Sequence, residues 1–233
     1  MAEATIFRFC RSLGFDGYNE MKIALAKATA TAMPVALKLE PGVDTQALVT
    51  HAYNTAVEAL NGTRSVLDPD AIDRAATLLQ RARQVYCLGQ GGSQVLAGDI
   101  WARFSMTSTK FRTAGDSHMQ AITASLMGPE DVLLFVSYSG STRDMMDTLR
   151  LAKENGAKVI LITHYDDAPG AALADVVLLC GAQENPLDSG SIPAKLAMLF
   201  VANVLVLRYT LDNQELANLS LSRTSQALGS KLL

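Results

Sequence analysis

The stretch Val136-Ser137-Tyr138-Ser139-Gly140-Ser141-Thr142-Arg143-Asp144 decides the reading of this 233-residue chain. The apolar run 132–136 feeds into it, and a helix-compatible segment, 142–153, leaves it. That order spells a buried strand, a hydroxyl-rich turn and a helix start. Three serines, a threonine and a glycine then sit where backbone N–H groups point outward. Such a turn can hold an anion without a metal or a fixed positive charge. The ligand expected there is a phosphorylated small molecule.

On either side of this turn the same pattern repeats. Residues 84–88 read as a strand ending at Gly89-Gln90-Gly91-Gly92-Ser93, followed by a helix over 93–105. A second strand is expected at 110–114, with a helix over 117–127 and Ser117 as its N-cap. The third strand is 131–136, its helix 142–155, and Gly156 the helix stop. Strands at 158–163 and 175–180 follow, joined by a short helical link at 168–174, and 191–211 is a long final helix. Strands that are apolar throughout and alternate with helices predict an α/β fold. Its parallel five-stranded sheet would carry helices on both faces. Ligands of such sheets bind beyond the carboxyl ends of the strands, where both Ser/Gly turns fall.

Helical material precedes the sheet. Over 45–60, Leu48, Ala52, Tyr53, Ala56, Val57 and Leu60 share one face. Asp68 caps the next helix, Pro69 takes its first position, and Ile72, Ala76 and Leu79 point inward. The segment 29–42, with Ala/Thr repeats, Pro34 and Pro41, reads as a linker behind a short N-terminal piece.

Half of the chain is apolar (49%), enough for a sizeable core, and the net charge of -3 provides no global basic field for nucleic acid. Cys10, Cys87 and Cys180 match no metal spacing. Cys87 and Cys180 fall in expected strands, where a thiol acts as a small hydrophobe, and the usage fits a reducing compartment. No run of ~18 uncharged apolar residues is present. Glu3 and Arg8 interrupt any signal peptide. The Asn-x-Ser/Thr matches at Asn61 and Asn218 carry little weight in the cytoplasmic protein this predicts.

The Gly89–Ser93 turn, the Ser137-Tyr138-Ser139-Gly140-Ser141-Thr142 turn and the closing Asp188-Ser189-Gly190-Ser191 resemble a sugar isomerase (SIS) domain. The phrase Glu3-Ala4-Thr5-Ile6-Phe7-Arg8-Phe9-Cys10-Arg11-Ser12-Leu13-Gly14-Phe15-Asp16-Gly17-Tyr18 resembles the end of the helix-turn-helix domain of RpiR-type transcriptional regulators. Together the two resemblances cover nearly the whole chain. They imply a helix-turn-helix remnant over 1–30, a linker over 31–43 and an SIS phosphosugar-binding domain over 44–233. They also imply that the chain starts inside or just before the recognition helix. Ile6, Phe9, Leu13 and Phe15 would then lack the earlier helices that bury them.

In the sheet domain, Gly92 allows close backbone approach, and Ser93 can donate from its hydroxyl and from the helix N-terminus. Ser137, Ser139, Gly140, Ser141 and Thr142 supply further donors. The competing reading is turn and capping chemistry alone, above all for Thr142. Ser191 resembles a family ligand contact and would otherwise cap the last helix. His118, beside Asp116 and Ser117, is drawn toward the site by the resemblance and is otherwise a surface histidine. His51 and His164 read as structural. Glu184, near Asn185 and Asp188, matches the carboxylate that acts as general base in SIS isomerases. In a binding protein it is a solvated loop residue.

Other motifs fail. A nucleophile elbow would need glycines where Ser137 and Ser141 flank Ser139. A dinucleotide fingerprint would need glycine at Gln94, and no P-loop ending exists. No metal site or cofactor is expected. On the N-terminal helix Thr5, Arg8 and Arg11, with Lys22 nearby, match the base and phosphate contacts of a DNA reader. The expectation is a transcriptional regulator whose SIS domain senses a phosphorylated sugar or sugar acid. The full-length form would bind DNA as a homodimer or homotetramer, without membrane contact. The alternative is an aldose–ketose phosphate isomerase.

Overall fold

A computed structural model describes residues 3–18, 20, 21, 24, 42–181 and 191–229. The elements run α1 (Glu3–Ser12), α2 (Thr45–Val66), α3 (Pro69–Arg81), β1 (Gln84–Gly89), α4 (Gly92–Ser105), β2 (Phe111–Thr113), α5 (Ser117–Ser125), β3 (Asp131–Val136), α6 (Arg143–Glu154), β4 (Lys158–Thr163), β5 (Val176–Leu179), α7 (Ile192–Asp212) and α8 (Gln214–Gly229). All four strand pairings are parallel, and the strand order is β2-β1-β3-β4-β5. The expected α/β sheet with helices on both faces is therefore present.

Strand periodicity sorts the core into two layers. Val85, Cys87, Val132, Leu134, Val136, Ile160 and Ile162 point to the face covered by α3, α4 and α7. Leu88, Leu133, Phe135, Val159 and Leu161 point to the other, against Met145, Leu149 and Ala152 of α6. Strand β3 is buried along its whole length, as its unbroken apolar run requires. Each fully buried Leu or Ile stabilises the fold by about 1.5–3 kcal/mol. Burial also pushes the Cys87 thiol pKa up, so this cysteine packs as an apolar group.

Helix α7 has 21 residues and enough apolar character to cross a membrane by length and composition. Its stripe Ala194, Ala197, Met198, Val201, Ala202, Leu205 and Tyr209 is instead buried against the sheet and its neighbours.

Several expected boundaries move. Helix α2 continues past residue 60 to Val66. The second strand shrinks to Phe111–Thr113, and the link at 168–174 reduces to a 3-10 turn at Ala171–Leu173. Asp116, not Ser117, caps α5, because its carboxylate reaches Met119 N at 2.9 Å. A second C-terminal helix, α8, follows α7 after Asn213. The linker expected at 31–43 lies outside the described residues, apart from Gly42 and Val43.

Candidate ligand-binding site

The strand order places the ends of β1 and β3 side by side, at the point where the sheet reverses its winding. In doubly wound sheets that crevice is the ligand site. Four helices follow strands directly or through a loop. Asp116 closes the N-terminus of α5, and Ser191 closes that of α7 by accepting from Ala194 N at 3.4 Å. Helices α4 and α6, which flank the crevice, have no side-chain cap among the described residues. In α4 the Ser93 and Gln94 N–H groups already donate to Gln90 O and Gly91 O, at 3.0 and 3.1 Å, while the positive dipole ends of both helices face the crevice without a side-chain cap.

The turn after β3 is built around Gly140, at φ 57°. A Cβ there would stand 2.6 Å from Ala168 Cβ and 2.9 Å from Thr163 Oγ1, so only glycine fits. Ser137 is buried, and its hydroxyl accepts from Gly140 N at 3.2 Å. Its oxygen thus shapes the turn. Ser139 is half-buried, and Ser141 and Thr142 are exposed at the lip. Thr142 occupies the N-cap position of α6 without capping it. Its hydroxyl instead donates to Gln90 Oε1 at 3.1 Å, tying the β3 turn to the β1 turn.

The β1 turn is held from below. Gln120, 1% exposed, sends its amide nitrogen to Gly89 O at 2.7 Å, Gln94 Oε1 at 3.0 Å and Ala114 O at 3.3 Å. Gln90 Nε2 is buried without a partner among the described residues. Gly91 is at φ 55°, Gly92 is exposed and Ser93 is half-buried at the helix start.

Lys195 is the residue that sequence reasoning missed. From the first turns of α7 it lies beside Gly92, its Cε and Nζ 3.5 and 3.8 Å from where a Cβ on that glycine would stand. A fixed positive charge therefore does stand at the cradle, contrary to the neutral cradle read from the turns alone. In the sequence it looked like one lysine on an apolar helix. Only the return of α7 across α4 reveals its place.

The remaining residues divide. His118 is exposed on the first turn of α5, at the end of β2, and Ser191 is buried at the start of α7, one turn before Lys195. Glu184, Asn185, Asp188 and Ser189 lie outside the described residues, as does Lys22. Thr5, Arg8 and Arg11 are exposed on α1. Ile6, Phe9 and Leu13 are exposed as well. An apolar groove of about 420 Å³ runs beside α7, lined by Leu67, Ile72, Phe200, Val204 and Leu207. Arg64 and Arg208 also line it, and Arg208 is already paired with Asp73 and Asp212. Among the described residues no group of three His, Cys, Asp or Glu could hold a metal ion.

Residues 78–208 match the SIS domain family, and residues 1–32 match the helix-turn-helix domain of the rpiR family. The chain is 30% identical over 227 residues to the HTH-type transcriptional regulator RpiR of Escherichia coli, covering 96% of this chain and 76% of that protein.

The chain belongs to the RpiR family of HTH-type transcriptional regulators.

This RpiR-family regulator is also 33% identical over 215 residues to the regulator HexR of Pseudomonas aeruginosa, covering 91% of this chain and 74% of HexR. Solved structures agree on the fold. Vibrio vulnificus NanR complexed with ManNAc-6P superposes with a TM-score of 0.84 at 24% identity, over 100% of this chain and 83% of that one. Phosphoheptose isomerase GmhA of Neisseria gonorrhoeae gives 0.62 at 18% identity, over 71% and 99%. The chain thus shares its sheet fold both with a regulator and with an isomerase, and the fold alone does not separate the two.

Proposed function

We propose that this regulator senses a phosphorylated sugar or sugar acid in the crevice between α4 and α6, and that occupancy alters its binding to DNA. The observation that carries the reading is the pair of uncapped helix N-termini at the switch point, with Lys195 beside one of them. A dianionic phosphate complements two positive helix ends, several hydroxyls and one ammonium. NanR, of the same fold, is complexed with a phosphosugar, which supports the assignment. The phosphate would be held by Gly92, Ser93, Ser139, Gly140, Ser141 and Thr142. Ser137 would act from beneath, and His118 and Ser191 would face the sugar. Thr5, Arg8, Arg11 and Lys22 would contact DNA.

In this reading the protein works in the cytoplasm as a homodimer or homotetramer and is not an enzyme. The effector must bind the DNA-competent and DNA-incompetent states with unequal affinity, since only that difference shifts their balance. Mobility shifts with its own promoter DNA and a panel of sugar phosphates test this. One phosphosugar should change the shift, and its unphosphorylated sugar should not. DNA binding indifferent to every phosphosugar contradicts the reading. The likeness to phosphoheptose isomerase supports a second reading, aldose–ketose isomerisation with Glu184 as base. Turnover of a phosphosugar above that of a Glu184→Gln control would establish it.

A further inference from the structure

A chain of contacts leaves the β3 turn on the side away from the crevice and ends on α2. Tyr138, between Ser137 and Ser139, is fixed to the end of β4. Its carbonyl accepts from Thr163 Oγ1 and from His164 N, each at 3.0 Å. Its ring stacks on the His164 imidazole, with centroids 4.9 Å apart and planes within 3°. His164 Nδ1 lies 2.7 Å from the Cys180 carbonyl oxygen. A carbonyl only accepts, so Nδ1 carries the proton. Cys180 N donates in turn to Thr163 O at 2.9 Å, locking the ends of β4 and β5 together. The next residue, Gly181, donates its N–H to Thr63 Oγ1 of α2 at 3.2 Å. Thr63 is wholly buried, and its hydroxyl donates onward to Ala59 O at 2.7 Å.

The last step is a backbone-to-backbone contact. A Cβ on Gly62 would stand 2.7 Å from Gly181 O. One on Gly181 would overlap the Gly62 carbonyl and come within 2.7 Å of Thr63 N. Glycine at both positions lets the helix touch the strand end with no side chain between them. A side chain can absorb a small displacement by changing rotamer, whereas two packed backbones pass it on. Helix α2 (Thr45–Val66) lies between the stretches matched by the helix-turn-helix and SIS families, 1–32 and 78–208. The element touched therefore belongs to the stretch that connects the two matched regions.

We propose that the Gly62–Gly181 contact, with the Thr63 hydroxyl bonded across it, is the coupling point through which occupancy of the β3 turn is passed to α2. Ligand bound at Ser139 and the neighbouring amides displaces Tyr138. The displacement travels through Thr163, His164 and Cys180 to Gly181, and α2 moves because nothing soft intervenes. The proposal names the regulation of the site described above and rests on that reading.

Hydrogen–deuterium exchange on the full chain, with and without inorganic phosphate, tests it. Phosphate should slow exchange over residues 137–142 in the wild type, Thr63→Ser and Thr63→Val. It should also change exchange over residues 55–66 in the wild type and in Thr63→Ser, which keeps the hydroxyl. In Thr63→Val, which keeps the shape and loses the bond, the second change should fall by at least half while the first persists. A protected turn with an unresponsive α2 in the wild type overturns the coupling and leaves the ligand site standing. So does a Thr63→Val variant with the full α2 response. Absence of protection at the turn overturns the ligand reading and the coupling together.

Discussion

The two ends of the sheet are built on opposite principles. At the amino end, charges are locked to fixed partners. Asp131, 1% exposed, accepts through Oδ2 from Arg83 Nη2 and Gly128 N, each at 2.9 Å, while its buried Oδ1 has no partner among the described residues. Asp175 gathers Lys153 at 2.8 Å, Lys158 at 3.1 Å and the Val159 N–H at 2.8 Å. Lys110 closes the C-terminus of α3 by donating to Leu79 O at 2.6 Å, Gln80 O at 3.0 Å and Ala82 O at 3.4 Å. At the carboxyl end stand neutral hydroxyls, two glycines at positive φ, two uncapped helix starts and the buried Gln90 amide nitrogen. Charges at the amino end are held mainly by partners within the chain, whereas the Gln90 amide nitrogen and the two uncapped helix starts at the crevice are groups that a ligand can satisfy.

Substitutions at the two ends should therefore separate stability from binding. The largest expected effect is Lys110→Met. It removes a cation whose pKa burial already lowers and strands the last carbonyls of α3. It should cost about 2 kcal/mol in chemical denaturation and leave phosphosugar affinity unchanged. An equal loss of affinity would break the separation. Ser139→Ala should do the reverse, weakening phosphosugar binding about tenfold by loss of a hydrogen bond to a charged group. Calorimetry and a thermal melt on the same sample check both halves.

Asp175→Asn comes next, at about 1 kcal/mol, because both lysines are partly exposed. Burial alone would raise the Asp175 pKa, but the bonds from Lys153, the Val159 N–H and Lys158 outweigh it and hold the carboxyl below its ordinary value. A carboxyl depressed in the folded state adds stability that is complete above its unfolded pKa and is lost as pH falls through the folded one. Wild-type stability should thus drop below about pH 4, and the variant should show a shallower drop. Parallel pH curves would remove Asp175 from the account. The smallest effect is expected for Thr142→Val, about 0.5–1 kcal/mol of binding with stability unchanged. Among the described residues its hydroxyl makes one bond, the exposed bridge to Gln90.

The same contrast explains what the sequence disclosed. Four of the five strands were legible as apolar runs between turn residues, β3 most plainly, whereas β2, Phe111-Arg112-Thr113, has one buried residue and came out shorter than expected. Both turns of the crevice were legible because glycine and hydroxyl residues cluster at strand ends. Lys195 was not, since its proximity to Gly92 depends on how α7 returns across α4. Nor was the inward turn of the Ser137 hydroxyl or the bridge from Thr142 to Gln90, because a string of serines does not say which one faces a ligand. Helix α8 was missed because its mixed pattern buries little beyond Ala217.

A crystal structure of the full chain grown with a phosphosugar that alters its mobility shift tests the central claim most directly. The account predicts phosphate density between the first turns of α4 and α6, within hydrogen-bond reach of Ser93, Ser139 and Lys195. Phosphate bound elsewhere, with the crevice unchanged and the Thr142–Gln90 bridge intact, would contradict it.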